Sequence, residues 1–165
     1  MGSEMCIRDS NAPGQVVISG DLKTLNSVTK LAKDSGVRKI IKLSVSAPFH
    51  CSLMKSAAIT MEKAFQNVNI LEPNFPIISN VSAIPETSPQ IIKNNLILQV
   101  TKTVRWRETM ASLSRLGISQ IVEMGTGKVL TGLAKRGANN LSALNLETSE
   151  DINCLLYTSP SPRDS

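Results

Sequence analysis

The chain has one histidine, one tryptophan, one tyrosine and three phenylalanines; aromatics make up only 3% of its 165 residues. So few rings speak against a surface that stacks the bases of single-stranded nucleic acid, which needs successive aromatic platforms in a basic groove. One histidine and three cysteines, with no ligand-like spacing among them, give no metal site. Three cysteines do not build a disulfide framework either. No apolar run approaches the ~20 residues that cross a bilayer, so no membrane association is expected. No basic start followed by an apolar stretch and a small-residue cleavage site marks a secretory signal. The remainder is ordinary for a globular domain: 41% hydrophobic residues, eight prolines and a formal charge of +5. That length suits one domain or part of a larger one.

Both ends carry a different kind of signature. Met5-Cys6-Ile7-Arg8-Asp9-Ser10 can be encoded by ATGTGTATAAGAGACAG plus one base. The reverse complement, CTGTCTCTTATACACAT, read from its second base gives Cys-Leu-Leu-Tyr-Thr, the order of Cys154 to Thr158. GGCTCGGAG for Gly2-Ser3-Glu4 reverses to CTCCGAGCC, whose frame continues as Ser159, Pro160 and Ser161. One DNA string read on opposite strands accounts for both ends, and it resembles a transposase-type sequencing adapter. Residues 1–10 and 154–165 are therefore expected to be adapter-derived and are set aside, as expression scars are. Residues 11–153 then carry sixteen basic and ten acidic side chains, and Cys51 is their single cysteine. A lone cysteine fits a reducing compartment, and the expected location is the cytoplasm.

Along residues 11–153, strands alternate with helices. Val16-Val17-Ile18 is a short β-branched run ending at Gly20-Asp21, a strand leading into a helix start. Leu22, Leu25, Val28, Leu31 and Ala32 recur at helical spacing, and Gly36 is placed to end that helix. Lys39 to Val45 reads as a second strand, completing a β-α-β pattern. After a loop over residues 46–51, Met54, Ala57, Ala58, Met61, Ala64 and Phe65 trace one helix face. Ile77 to Val81 reads as a strand. Ser88-Pro89 is an N-cap and first-turn pair for a helix reaching about Val100. Trp106, Met110, Leu113 and Leu116 give another helix closed by Gly117. Ile118 to Met124 is a strand, and the helix carrying Val129, Leu130, Leu133 and Ala134 stops at Gly137. The class is α/β with a partly parallel sheet.

Few residues invite chemistry. His50 lies just after a Pro-Phe turn and before a helix, and imidazole is the side chain best suited to moving a proton near neutral pH. A structural or exposed histidine is the plainer alternative. Cys51 points away from its neighbour on a helix start and reads as a packed small residue. Ser46 would meet His50 only across a helical turn, which Pro48 opposes; it reads as a loop serine. Gly125-Thr126-Gly127-Lys128 looks like a phosphate cradle. It lacks the Ser or Thr that a P-loop places after its lysine, so a tight strand-to-helix turn is the better reading, with helix-start amides that could face an anion. Arg105-Trp106-Arg107 reads as a core tryptophan with solvated neighbours, and Lys39 and Lys42 as strand-edge charges.

Several strings resemble one family. Asn11-Ala12-Pro13-Gly14-Gln15-Val16-Val17-Ile18-Ser19-Gly20 and Val45-Ser46-Ala47-Pro48-Phe49-His50-Cys51-Ser52-Leu53-Met54 resemble segments of bacterial malonyl-CoA:acyl carrier protein malonyltransferases. The latter string is similar to their catalytic-histidine motif. Ile78-Ser79-Asn80-Val81, then Gln99 with Val104 and Trp106, then Gly125 to Leu133 follow in the family's order. The resemblance covers nearly all of residues 11–147.

The resemblance implies an α/β fold: part of an α/β-hydrolase-like acyltransferase core plus the end of a small ferredoxin-like subdomain. It places residues 11–43 in the subdomain and 44–153 in the C-terminal part of the core. It implies ping-pong transfer of malonyl from coenzyme A, through a malonyl-serine, to the phosphopantetheine thiol of acyl carrier protein in fatty-acid biosynthesis. Malonyl-CoA is then a substrate, and no cofactor is implied. His50 matches the base, the backbone carbonyl of Gln99 its orienting partner, Phe49 the position that excludes an α-methyl, and Asn11 a polar residue near the acyl site. An acyltransferase domain of a polyketide synthase, or a non-catalytic α/β module, are the alternatives. One departure is large: residues 11–153 contain no G-x-S-x-G elbow, so the nucleophile is expected upstream, with the family's carboxylate-binding arginine and oxyanion-hole glutamine.

Overall fold

In the computed structural model, residues 5–12, 14–137 and 141–158 are described. They fall into two compact units, residues 1–109 and 110–165.

The first unit opens with an antiparallel pair, β1 (Met5–Ala12) and β2 (Gln15–Gly20). β1 takes in Met5 to Ser10, the stretch that matches the adapter, and Asn11 falls at a register shift between Ser10 and Ala12. α1 (Leu22–Asp34) follows at once. Its start is fixed by Asp21, whose carboxylate accepts the amide of Thr24 at 3.0 Å and its hydroxyl at 2.6 Å. Gly36, at φ 85°, provides the left-handed residue that ends it.

The strand expected over residues 39–45 does not form. Residues 37–45 run without regular pairing, and Val37, Ile41, Leu43 and Val45 are exposed. A strand exists only through its partner's hydrogen bonds, and among the described residues none is offered here. Lys39 and Lys42 are thus charges on an irregular segment rather than on a sheet edge.

The loop at Ser46–Cys51 leads through a single 3₁₀ turn, Ser52–Met54, into α2 (Lys55–Phe65). The strand expected at Ile77–Val81 is cut to β3 (Ile77–Ile78), paired antiparallel with β4 (Pro85–Glu86). The chain turns at Asn80 instead: the amide of Ala83 reaches the carbonyl of Ser79 at 3.0 Å, with Ala83 buried at φ 56°. α3 (Pro89–Leu98) begins where Ser88-Pro89 predicts. The Ser88 hydroxyl accepts the Ile91 amide at 3.5 Å, and Gln99 is the C-cap. α4 (Trp106–Arg115) closes at Gly117, φ 73°.

The second unit contains the parallel pair, β5 (Gln120–Met124) beside β6 (Ser142–Leu146), joined through α5 (Val129–Gly137). Neither β6 nor α6 (Ser149–Thr158) was expected from periodicity. Thr148 and Asp151 form a reciprocal cap at the start of α6. The Asp151 carboxylate accepts the amides of Glu147 and Thr148 at 3.0 and 2.8 Å, and the Thr148 hydroxyl accepts the Asp151 amide at 3.2 Å. Leu133, Ala134, Leu141 and Ala143 are buried in this unit. Among the described residues no helix is long and apolar enough to cross a membrane.

Carboxylates at the starts of α1 and α6 make those two helices acid-sensitive. Hydrogen bonds from the Thr24 hydroxyl and amide hold the Asp21 carboxyl below its ordinary value of 3.8, and the Glu147 and Thr148 amides do the same for Asp151. A lowered folded-state value means that the stabilisation is complete above 3.8 and is lost as pH falls through the lowered values. Helical circular dichroism is therefore expected to fall off below about pH 4. The combined D21N and D151N variant, capped without a titrating group, should lose less of its signal; an unchanged acid profile would refute this account.

Candidate active site

The site is built where the α2 entrance meets the C-terminal end of α3. His50 is half-buried and adopts φ 59°, a left-handed conformation unusual for a residue with a side chain. Such a conformation costs about 1–3 kcal/mol and persists only where the surroundings impose it. Here the surroundings are specific. Cys51 is 1% exposed, and its thiol donates to the Pro48 carbonyl at 3.0 Å. The Phe49 amide donates to the Ala47 carbonyl at 2.9 Å, and the Met54 amide to that of Cys51 at 3.0 Å. Cys51 is thus the packed residue expected, and Ser46 remains in the loop without joining the histidine.

The ring of His50 reaches across 49 residues of sequence to α3. Its Nδ1 lies 2.6 Å from the backbone carbonyl oxygen of Gln99. A carbonyl only accepts, so Nδ1 carries the proton and, in the neutral ring, Nε2 holds the free lone pair. Gln99 is the C-cap of α3, where carbonyls lack the next turn's amides, so one is available to a side chain. This is the tautomer a general base needs, obtained without a buried carboxylate.

An open pocket of about 380 Å³ is lined by His50, Ser52, Lys55, Thr101, Lys102 and Thr103. No lining residue is acidic. The two lysines, Lys55 at the start of α2 and Lys102 just after α3, escaped the sequence reading because nothing local marks them as neighbours.

Of the other expected residues, Phe49 sits beside the histidine in the chain, 37% exposed, and is not part of the pocket lining. Asn11 lies in β1. The glycine turn at residues 125–128 resolves differently from an anion cradle. Glu123 on β5 places its own carboxylate on the α5 start, accepting the Leu130 and Thr131 amides at 3.0 and 2.8 Å. Asn145 donates to the carbonyls of Gly125 and Gly127 at 3.3 and 2.6 Å. Two of the helix-start amides that could have met an outside anion are thus occupied from within. Arg105 is not merely solvated: it pairs with Glu108 and donates to the Val81 and Ser82 carbonyls.

No protein-family model matches the chain. It is 37% identical over 157 residues to the malonyl CoA-acyl carrier protein transacylase of Bacillus subtilis, covering 95% of this chain and 50% of the relative. It is similar in structure to an acyl-carrier-protein S-malonyltransferase from Bartonella henselae, with a TM-score of 0.87 and 43% identity over 93% of this chain and 49% of the other. A type II PKS acyl-carrier protein in complex with its malonyl-transacylase gives 0.88 and 35% identity, over 94% and 51%. The chain spans about half the length of the curated relatives it matches. Its mixed helix-and-strand fold is that acyltransferase fold in part. Agreement in sequence and in structure over more than nine-tenths of its length makes this chain a homologue of the malonyl CoA-acyl carrier protein transacylases, matching about half of each.

Proposed function

We propose that the full-length protein moves malonyl from coenzyme A to the phosphopantetheine thiol of acyl carrier protein, in cytoplasmic fatty-acid biosynthesis, and that this chain is its C-terminal half. The observation that carries the reading is the 2.6 Å contact between His50 Nδ1 and the Gln99 carbonyl, which leaves Nε2 free to act as a base.

In the first half-reaction Nε2 takes the proton of a serine hydroxyl supplied by the other half of the protein. The serine oxygen bonds to the malonyl carbonyl carbon, the C–S bond breaks, and the coenzyme A sulfur leaves with the proton from the imidazolium. In the return half-reaction Nε2 takes the proton of the carrier thiol, the sulfur attacks the ester, and the serine oxygen regains a proton. Nucleophile and base suffice for this chemistry, so no cofactor or metal is invoked. The surplus of basic side chains suits an acidic carrier protein, since complementary fields steer encounter. In this reading, residues 11–43 end a ferredoxin-like subdomain, residues 44–153 return to the core, and Asn11 stands near the acyl group.

The test is to expose the full-length protein to labelled malonyl-CoA. A malonyl-serine should form and discharge to the carrier thiol much faster than to water. No covalent label, or discharge to water alone, would remove the transferase reading.

Phe49 is proposed to fill the space that an α-methyl would need. Rejecting one methyl by fit is worth ~1–3 kcal/mol. Replacing Phe49 with serine should therefore raise relative use of methylmalonyl-CoA roughly tenfold, read as a ratio of kcat/KM values. An unchanged ratio would show that the ring only packs.

A further inference from the structure

The short connection between α3 and α4 is fastened at both ends to one turn. At its start, the Gln99 side-chain oxygen accepts a hydrogen bond from Asn80 Nδ2 at 3.3 Å. At its end, the Arg105 amide donates to the Asn80 backbone carbonyl at 2.9 Å, while the Arg105 guanidinium reaches the carbonyls of Val81 and Ser82 at 3.3 and 3.2 Å. Between these anchors lie Thr101, Lys102 and Thr103, which line the pocket with His50. The carbonyl that holds the His50 ring belongs to Gln99 itself.

We propose that Asn80 is a positioning residue for His50: by tying down the Gln99 side chain and the Arg105 amide, it fixes the direction of the Gln99 carbonyl and hence the imidazole. The proposal rests on the base role given to His50 above. Its physical basis is the stiffness of a peptide plane. The Val100 amide, which shares a plane with the Gln99 carbonyl, already donates to the Ile97 carbonyl at 3.3 Å, and the Gln99 amide on the preceding plane donates to the Asn95 carbonyl at 3.0 Å. With the side chain also held, little freedom remains for the plane that carries the oxygen. A hydrogen bond as short as 2.6 Å tolerates little swing of its acceptor. Asn80 is exposed and belongs to no buried cluster, so the core gains little from its side chain.

Because Asn80 is exposed, Asn80→Ala should leave the fold intact. In the full-length protein it should lower kcat roughly three- to tenfold, the worth of one ordinary hydrogen bond, with KM for malonyl-CoA unchanged. Nitrogen-15 spectra of labelled histidine, with His50 assigned by its loss in His50→Gln, should show faster exchange of the Nδ1 proton and a larger share of the other tautomer. Asn80→Asp should rescue both readouts, because the Gln99 amide can turn over and donate to the new carboxylate. Unaltered kcat and ring spectrum in Asn80→Ala, or equal losses in the two variants, would overturn the proposal. Should the parent protein prove to transfer no malonyl group at all, the functional reading falls, while the ring spectrum still decides the role of Asn80.

Discussion

Replacing His50 with glutamine in the full-length protein is expected to lower kcat for malonyl transfer about a thousandfold, the midrange of what a positioned base contributes. Glutamine keeps polarity and approximate bulk, and its amide NH₂ can still donate to the Gln99 carbonyl. It has no lone pair basic enough to take a proton from an alcohol or a thiol. In the mechanism proposed above both half-reactions pass through that step, so malonylation of the serine and discharge to the carrier should slow together. KM for malonyl-CoA should change little, because the lost interaction belongs to the transition state. Rapid-quench measurement of each half-reaction separates the two. A variant within a few-fold of the wild type in both would show that the short contact to Gln99 is architectural and that the proton goes elsewhere.

The 165-residue chain alone is expected to show no malonyl transfer above the uncatalysed background. A general base with no alcohol to deprotonate accelerates nothing, and losing the nucleophile of a serine enzyme removes about a millionfold of its rate. Residues 11–153 contain no serine set in a G-x-S-x-G turn, and Ser46 and Ser52, the two nearest His50 in sequence, lie in a loop and a single 3₁₀ turn. Incubating the purified chain with labelled malonyl-CoA and carrier protein, then separating thioester products, gives the answer. Turnover by the chain at the rate of a complete transacylase would mean that some serine among these residues is the nucleophile.

Local signals in the sequence located helices well and strands poorly, and the difference has a physical cause. α1, α3 and α4 are bounded by residues whose own chemistry ends or starts a helix: Asp21 and Gly36, Ser88-Pro89, and Gly117. Those effects act within a turn of chain and are visible in one dimension. A strand depends on a neighbour that can lie anywhere. Residues 39–45 have strand composition and stay unpaired, whereas β6 escaped notice and pairs with β5 over five residues. At Ile77–Val81 the early turn rests on a left-handed Ala83, which no propensity would suggest.

The candidate site divides in the same way. Imidazole chemistry singled out His50 as a possible proton carrier, but its orienting partner is 49 residues away, and only the family resemblance pointed to Gln99. The backbone twist at His50 itself leaves no mark in the sequence. Lys55 and Lys102 reach one pocket because α2 and the end of α3 converge there, a fact of three dimensions alone. The glycine turn at residues 125–128 misled in the opposite sense: its spacing suggested a place for an outside anion, and Glu123, two residues upstream, already sits on the following amides.

The irregular stretch from Arg38 to Val45 has a consequence for any cell that makes this chain by itself. Among the described residues nothing pairs with its backbone in a ladder, and aliphatic side chains flank it, Ile41 being 65% exposed. Such a stretch welcomes whatever extended chain arrives first. For the chain expressed alone, the first arrival would be another newly made copy or a chaperone, and yield would fall as expression rises.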